Sequence, residues 1–231
     1  MPLNGYTIVF DLDGTLVDTA PDLVRALNVC MQGSGVDPIS TPEVRNLVGQ
    51  GARALIERAF AFGGITPDPA DVDARLVHFL EDYSANIAEV STVFDGAIAC
   101  MDALKQAGAR LSICTNKPEM LTHKLLDAFA LTPHFDAIVC PENVSAKKPD
   151  AAHMLAAITP LSPKKALMVG DSIADLGSAR AAGIPAILMS HGYSTPPAAE
   201  LGADLVLDHF SALNDAVYHL FGVRPNPQET L

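Results

Sequence analysis

Thr7-Ile8-Val9-Phe10-Asp11-Leu12-Asp13-Gly14-Thr15-Leu16-Val17-Asp18 is the stretch on which the reading of the chain turns. An apolar run enriched in β-branched residues stops abruptly in two aspartates, a glycine and a threonine. The run reads as a buried strand, with Gly14 where the chain can turn sharply. Two carboxylates at the C-terminal end of a strand stand where open α/β sheets bind ligands. Burying two like charges together is costly, so a cation is expected beside them. Oxygen donors of this kind suit a hard divalent ion such as Mg²⁺. The competing reading is an edge turn with solvated aspartates, and the rest of the chain decides between the two.

Directly after this strand the pattern turns helical. Pro21 to Met31 carries Leu23, Leu27, Cys30 and Met31 at helical spacing, with Pro near the start. Thr41-Pro42-Glu43 opens a second helix with Thr41 as its N-cap, and Gly49-Gln50-Gly51 breaks it. Ala52 to Phe62 and Asp71 to Ile87 follow as amphipathic helices, with no strand between residues 20 and 92. From Val93 onward short apolar strands alternate with helices. Strands are expected at 110–114, 137–140, 166–169, 185–189 and 205–207. The helices between and after them are expected at 97–107, 118–130, 150–158, 172–182 and 211–221. Such alternation indicates an α/β fold, a Rossmann-like parallel sheet covered by helices on both faces. The all-helical block is then an insertion after the first strand.

Composition narrows the partners. A net charge of −12 over 231 residues argues against a nucleic-acid surface. The same field repels anionic ligands, so a phosphate or carboxylate would need a local cationic site. Neither a secretory leader nor an apolar stretch near the roughly 18 residues of a membrane span is visible, and a cytoplasmic protein without a membrane partner is expected. Cys30, Cys100, Cys114 and Cys140 lie far apart, and the last two end strand-like runs as core thiols. The sequence leaves monomer and homodimer open.

Several strand ends expose polar groups where apolar runs stop: Asp11 and Asp13, then Thr115 and Asn116, then Lys148, then Asp171 and Asp175. In a parallel sheet these ends share one edge, so the groups can converge. Asp171 and Asp175, four apart at a helix start, can face the same way. The ordered set Asp-x-Asp-Gly-Thr, Thr-Asn, Lys-Pro and Gly-Asp-Ser-x-x-Asp resembles the haloacid dehalogenase-like hydrolase superfamily. A finer resemblance is to its phosphoglycolate phosphatases, through Asp11-Leu-Asp-Gly-Thr-Leu-Val-Asp-Thr-Ala-Pro-Asp22, Val48-Gly-Gln-Gly-Ala-Arg53 and His191-Gly-Tyr193.

The resemblance implies Mg²⁺-dependent hydrolysis of 2-phosphoglycolate, with Asp11 as nucleophile and Asp13 as acid and base. It places the metal on the Asp11 carboxylate, the Asp13 backbone carbonyl and Asp171, with Asp175 supporting its water shell. Thr115 and the backbone beside Asn116 would hold phosphoryl oxygens, and Lys148 would balance charge, although Lys147 beside it is a second candidate. Tyr193 is expected to be structural. It also implies that residues 18–92 form a mobile cap on a core of residues 1–17 and 93–231, hinged at Asp18-Thr19 and Thr92-Val93. Arg53, or N–H groups near Gly49 and Gly51, would receive the substrate carboxylate.

Alternatives remain within the superfamily. A phosphatase for a sugar phosphate or pyrophosphate fits the same motifs, as does a β-phosphoglucomutase-like isomerase. The absence of lysine from residues 18–92 disfavours a phosphonoacetaldehyde hydrolase, which needs one for its Schiff base, and retention of Asp13 disfavours a dehalogenase.

Overall fold

The computed structural model describes residues 1–45 and 51–224. β1 (Tyr6–Phe10) leads through a tight turn into the two-residue β2 (Val17–Asp18). Four helices follow: α1 (Ala20–Cys30), α2 (Thr41–Arg45), α3 (Ala52–Phe62) and α4 (Pro69–Ala85). β3 (Thr92–Val93) returns the chain and pairs antiparallel with β2. The alternating portion comprises α5 (Ala97–Gln106), β4 (Arg110–Cys114), α6 (Glu119–Ala128), β5 (Ala137–Val139) and α7 (Ala151–Ile158). It continues with β6 (Lys165–Gly170), α8 (Ile173–Ala182), β7 (Ala186–Met189), β8 (Leu205–Leu207) and α9 (Leu213–Phe221).

Six parallel strands run in the order β5-β4-β1-β6-β7-β8. The parallel α/β architecture expected from the alternation is therefore present. Strand period sorts the core into two layers. Ile8, Phe10, Leu111, Ile113, Leu167 and Val169 pack with Met101, Leu125 and Val217 of α5, α6 and α9. Val9, Cys114, Met168 and Leu188 pack on the other face with Met154 of α7 and Leu176 and Ala179 of α8. Both Cys114 and Cys140 are buried and free, as expected of core thiols. Burial pushes their thiols up to about 12 and about 11.

β1 lies at the switch point of the sheet, with β4 on one side and β6 on the other. Phe10 pairs with Ile113 and with Val169, so the residues that follow all three strands emerge together. The connection from β1 doubles back tightly: the N–H groups of Leu16 and Val17 both donate to the Leu12 carbonyl, each at 3.0 Å. Gly14 takes φ +81° there, a conformation that side chains disfavour.

Two local expectations change. The β2–β3 ribbon, Val17 opposite Val93 and Asp18 opposite Thr92, joins the two segments expected as hinges, and it is too short to leave a period in the sequence. Thr41 is the first helical residue of α2 rather than its cap. Ser40 precedes it, donating from its N–H and hydroxyl to Glu43 Oε2 at 2.7 and 2.5 Å, so the Glu three residues on stabilises the start. The break expected at Gly49-Gln50-Gly51 lies outside the described residues, apart from Gly51.

The two ends of the helical block are fastened by Asp22, which is fully buried in the first turn of α1. Its Oδ2 accepts from the Val90 and Ser91 N–H groups at 3.0 and 2.8 Å and from the Ser91 hydroxyl at 2.6 Å. Asp22→Ala leaves those donors unpaired and is expected to lower unfolding free energy by roughly 2–4 kcal/mol. Denaturant titration measures it. A loss below about 0.5 kcal/mol, the range of an ordinary surface change, would show that the fastening is not energetic.

Candidate active site

Asp11 leaves β1 with its N–H bound to the Val169 carbonyl at 3.0 Å, which fixes it level with the end of β6. Lys148 reaches it from the loop before α7, with Nζ 2.8 Å from Asp11 Oδ1 and 2.6 Å from Asp175 Oδ1. Lys148 is 3% exposed, whereas Lys147 is exposed to solvent, so the geometry brings the second lysine of the pair to Asp11.

The Lys148 loop is held at both backbone groups. Its N–H donates to His153 Nδ1 at 3.1 Å, and its carbonyl accepts from Asn116 Nδ2 at 3.1 Å. Because His153 accepts at Nδ1, its proton sits on Nε2, which faces the Val139 carbonyl at 3.2 Å. Burial, aided by the nearby Lys148 charge, lowers the imidazole from 6.5 to about 4 and keeps it neutral.

Asp171 and Asp175 come from the turn between β6 and α8. Asp175 closes a capping box with Ser172: its Oδ2 accepts from the Ser172 N–H at 3.0 Å, the Ser172 hydroxyl at 2.7 Å and the Asp171 N–H at 3.2 Å. With Oδ1 on Lys148, both oxygens of Asp175 are engaged. Asp171 is held by the Thr15 hydroxyl at 2.9 Å and the Tyr193 N–H at 2.7 Å. Glycine permits this crowding: a Cβ at Gly192 would lie 2.1 Å from Asp171 Cβ. Tyr193 then extends to β2, donating its hydroxyl to Asp18 Oδ1 at 2.6 Å and accepting from the Ala20 N–H at 3.0 Å.

Carboxylate oxygens of Asp11, Asp171 and Asp175 lie within 4.8 Å of one another, all buried. Two of these three carboxylates share the Lys148 ammonium, and Asp171 has only neutral donors among the described residues. Burial raises Asp11 to about 7, despite the opposing pull of Lys148. Burial and the charges of Asp175 and Asp11 raise Asp171 well above the ordinary carboxylate value. The donor set is electron-rich and short of positive charge, which is what a hard divalent cation relieves.

The remaining expected residues divide. Thr115, 1% exposed, follows β4 and accepts from the Lys117 N–H at 3.2 Å; with Asn116 it lines the cavity above Asp11 and Asp13. The Asn116 side chain also secures the lysine loop. Arg53 does not join them. It projects from α3 into solvent and pairs with Asp73 of α4 and, at 3.9 Å, with Glu57. Of the N–H donors proposed near it, Gly49 lies outside the described residues, whereas Gly51 and Ala52 line the cavity.

Two residues were not anticipated. His153 is the single polar residue in the otherwise apolar α7, a pattern that marks it as partnered inside. Lys117 directly follows Thr115-Asn116, and its ammonium lies 3.0 Å from Asp13 Oδ1 and 2.8 Å from Tyr83 Oη. No described helix is long and apolar enough to cross a membrane.

Comparison with known proteins gives a consistent picture. The haloacid dehalogenase-like hydrolase family model matches residues 8–189. A phosphoglycolate phosphatase of Caulobacter vibrioides is 45% identical over 231 residues, covering 99% of this chain and 98% of that protein. Among solved structures, a predicted phosphoglycolate phosphatase from Haemophilus somnus superposes with TM-score 0.86 at 27% identity, covering 91% of this chain and 97% of the other. A mutant of CbbY from Rhodobacter sphaeroides, in complex with xylulose-(1,5)bisphosphate, superposes with TM-score 0.75 at 28% identity over 90% and 95% of the two chains.

His153 supplies a pH test. Between 6.5 and about 4 the unfolded chain binds a proton that the folded chain refuses. Stability present above pH 6.5 is therefore lost as pH falls through that window, on the order of 3 kcal/mol for this group. His153→Asn keeps an acceptor for the Lys148 N–H but cannot titrate. Its stability–pH curve between pH 6.5 and 4 is expected to be flatter than that of the parent; parallel curves would remove His153 from the effect.

Proposed function

The chain belongs to the haloacid dehalogenase-like hydrolase family and is a phosphatase of it, and from that premise we propose that it hydrolyses 2-phosphoglycolate to glycolate and phosphate with Mg²⁺ through an aspartyl-phosphate on Asp11. The observation that carries this reading is the buried cluster of Asp11, Asp171 and Asp175 with one ammonium, open to a cavity that Asp13 and Thr115 also line.

Asp11 and Asp171, with the Asp13 backbone carbonyl, would hold the cation. Asp175 would stand beside it, and it keeps Lys148 in place. When bound, Mg²⁺ supplies the charge neutralisation that lets a carboxylate approach a phosphate dianion. Thr115 and the backbone at Asn116 orient the phosphoryl oxygens, and Lys148 spreads its charge over phosphate and nucleophile. Asp11 attacks phosphorus, and the ester oxygen leaves with a proton from Asp13. Asp13 then takes a proton from water as that water attacks the aspartyl-phosphate, releasing phosphate and restoring Asp11.

We assign residues 18–92 as a cap on the core formed by 1–17 and 93–231. Supporting this, the cavity is lined from both sides, by Leu23, Leu55, Phe79 and Tyr83 of the helices and by Asp11, Asp13 and Lys148 of the sheet edge. Such a covered site excludes water from the first transfer. A second reading, a sugar phosphate as substrate, is favoured by the bisphosphate bound to the structurally similar CbbY mutant.

Phosphate release across a panel of 2-phosphoglycolate, sugar phosphates and pyrophosphate is expected to favour 2-phosphoglycolate. Comparable turnover of many sugar phosphates would overturn the substrate, and interconversion without phosphate release would indicate a mutase. Asp11→Asn is expected to lower kcat by roughly 10⁴-fold or more. Stripping divalent ions with a chelator should abolish phosphate release until Mg²⁺ is restored, and undiminished turnover after stripping would refute the metal assignment.

A further inference from the structure

We propose that Lys117 determines specificity by binding the carboxylate of the leaving group while Asp13 serves the ester oxygen beside it. The inference rests on the reading of the site as one for a small phosphorylated carboxylate. Lys117 leaves the turn after β4 and lines the cavity, 6% exposed. Its Nζ lies 3.0 and 3.3 Å from the two oxygens of Asp13 and 2.8 Å from the Tyr83 hydroxyl, and it stands 4.6 Å from the Tyr83 ring centroid. Burial opposes its charge, but Asp13 and Tyr83 outweigh burial, and the ammonium stays protonated.

Substrate geometry selects this residue. In 2-phosphoglycolate the carboxylate carbon is two bonds from the ester oxygen. The cation that reads it must therefore adjoin the group that protonates that oxygen. Lys117 touches Asp13. Of the two lysines among the described lining residues, Lys148 is already shared by Asp11 and Asp175. Arg53 faces solvent and does not line the cavity. An ammonium has three donors, and the one on Asp13 Oδ2 makes the longest of its three contacts, 3.3 Å, so a ligand carboxylate can take that donor while the bonds to Asp13 Oδ1 and Tyr83 remain. Tyr83 arrives from α4, so the helical block fixes where this cation stands. A leaving group without a carboxylate gains nothing from it, whereas a carboxylate in that place finds a desolvated, pre-positioned charge.

The test compares kcat/KM for 2-phosphoglycolate and for ethyl phosphate, a phosphate ester with the same two-carbon chain and no carboxylate. The parent enzyme is expected to favour 2-phosphoglycolate. Lys117→Met should reduce that preference roughly 100-fold, with most of the change in KM, and Lys117→Arg should recover part of it. An unchanged preference in Lys117→Met overturns the inference and leaves the proposed substrate standing. A parent enzyme with no preference overturns the substrate and this inference with it. Should Lys117→Met fail to fold, Tyr83→Phe keeps the ammonium and removes its hydroxyl partner. It is expected to raise the KM for 2-phosphoglycolate several-fold more than that for ethyl phosphate, and equal changes would refute the role.

Discussion

One buried ammonium, Lys148, ties together the ends of β1 and β6. Three carboxylates converge where β1 and β6 end, in a place where water cannot screen them. Removing one partner from a buried ion pair commonly costs about 3–5 kcal/mol because the other charge is stranded. Much of the surrounding structure therefore serves to keep Lys148 in place. His153 takes its N–H, Asn116 takes its carbonyl, and Asp175 takes its ammonium while also starting α8. The same carboxylate that caps a helix thus orients the lysine beside Asp11. Local helix chemistry and the long-range ion pair are met by one side chain.

Asp13 is arranged on a different principle. It sits two residues after Asp11 but is paired with Lys117 rather than Lys148, and it is more exposed than Asp11. Separate cations for neighbouring carboxylates let the two take different roles. Asp11, with its proton affinity raised by burial, faces the cluster that calls for a divalent ion. Asp13 faces the cavity roofed by Tyr83 and Phe79. The distinction depends on two lysines arriving from two different strand ends.

The fold was legible because its signals are local. Apolar runs of strand length bounded by glycine, proline or charge place β4 and β8 at their observed bounds, and α3 likewise occupies its expected span. Asp11, Thr115, Lys148 and Asp171 were legible as a group because parallel topology brings their strand ends to one edge. Arg53 was not, since whether an arginine on α3 reaches inward depends on Asp73, twenty residues later on another helix. Lys117 was hidden for a similar reason. A lysine after a Thr-Asn pair carries no periodic or capping signal, and its partner Asp13 is 104 residues away. The β2–β3 ribbon escaped notice because two residues per strand establish no alternation.

Tyr193 shows how a residue read as structural can still bear on the chemistry. Its backbone N–H fixes Asp171, and its hydroxyl joins Asp18 in β2 to the first N–H of α1. Asp18 is where the chain leaves the sheet for the helical block, and Gly192 beside Tyr193 allows the approach because any Cβ would collide with Asp171. The carboxylate expected to hold the cation and the segment from which the proposed cap departs therefore share one rigid side chain. A displacement of β2 relative to the sheet must either break the Tyr193 hydroxyl bonds or move the loop that positions Asp171. Close packing leaves little room for the second course. The geometry of the helical block's entry and that of the site are accordingly not independent in this chain, and the link between them is a short aromatic strut rather than a long-range field.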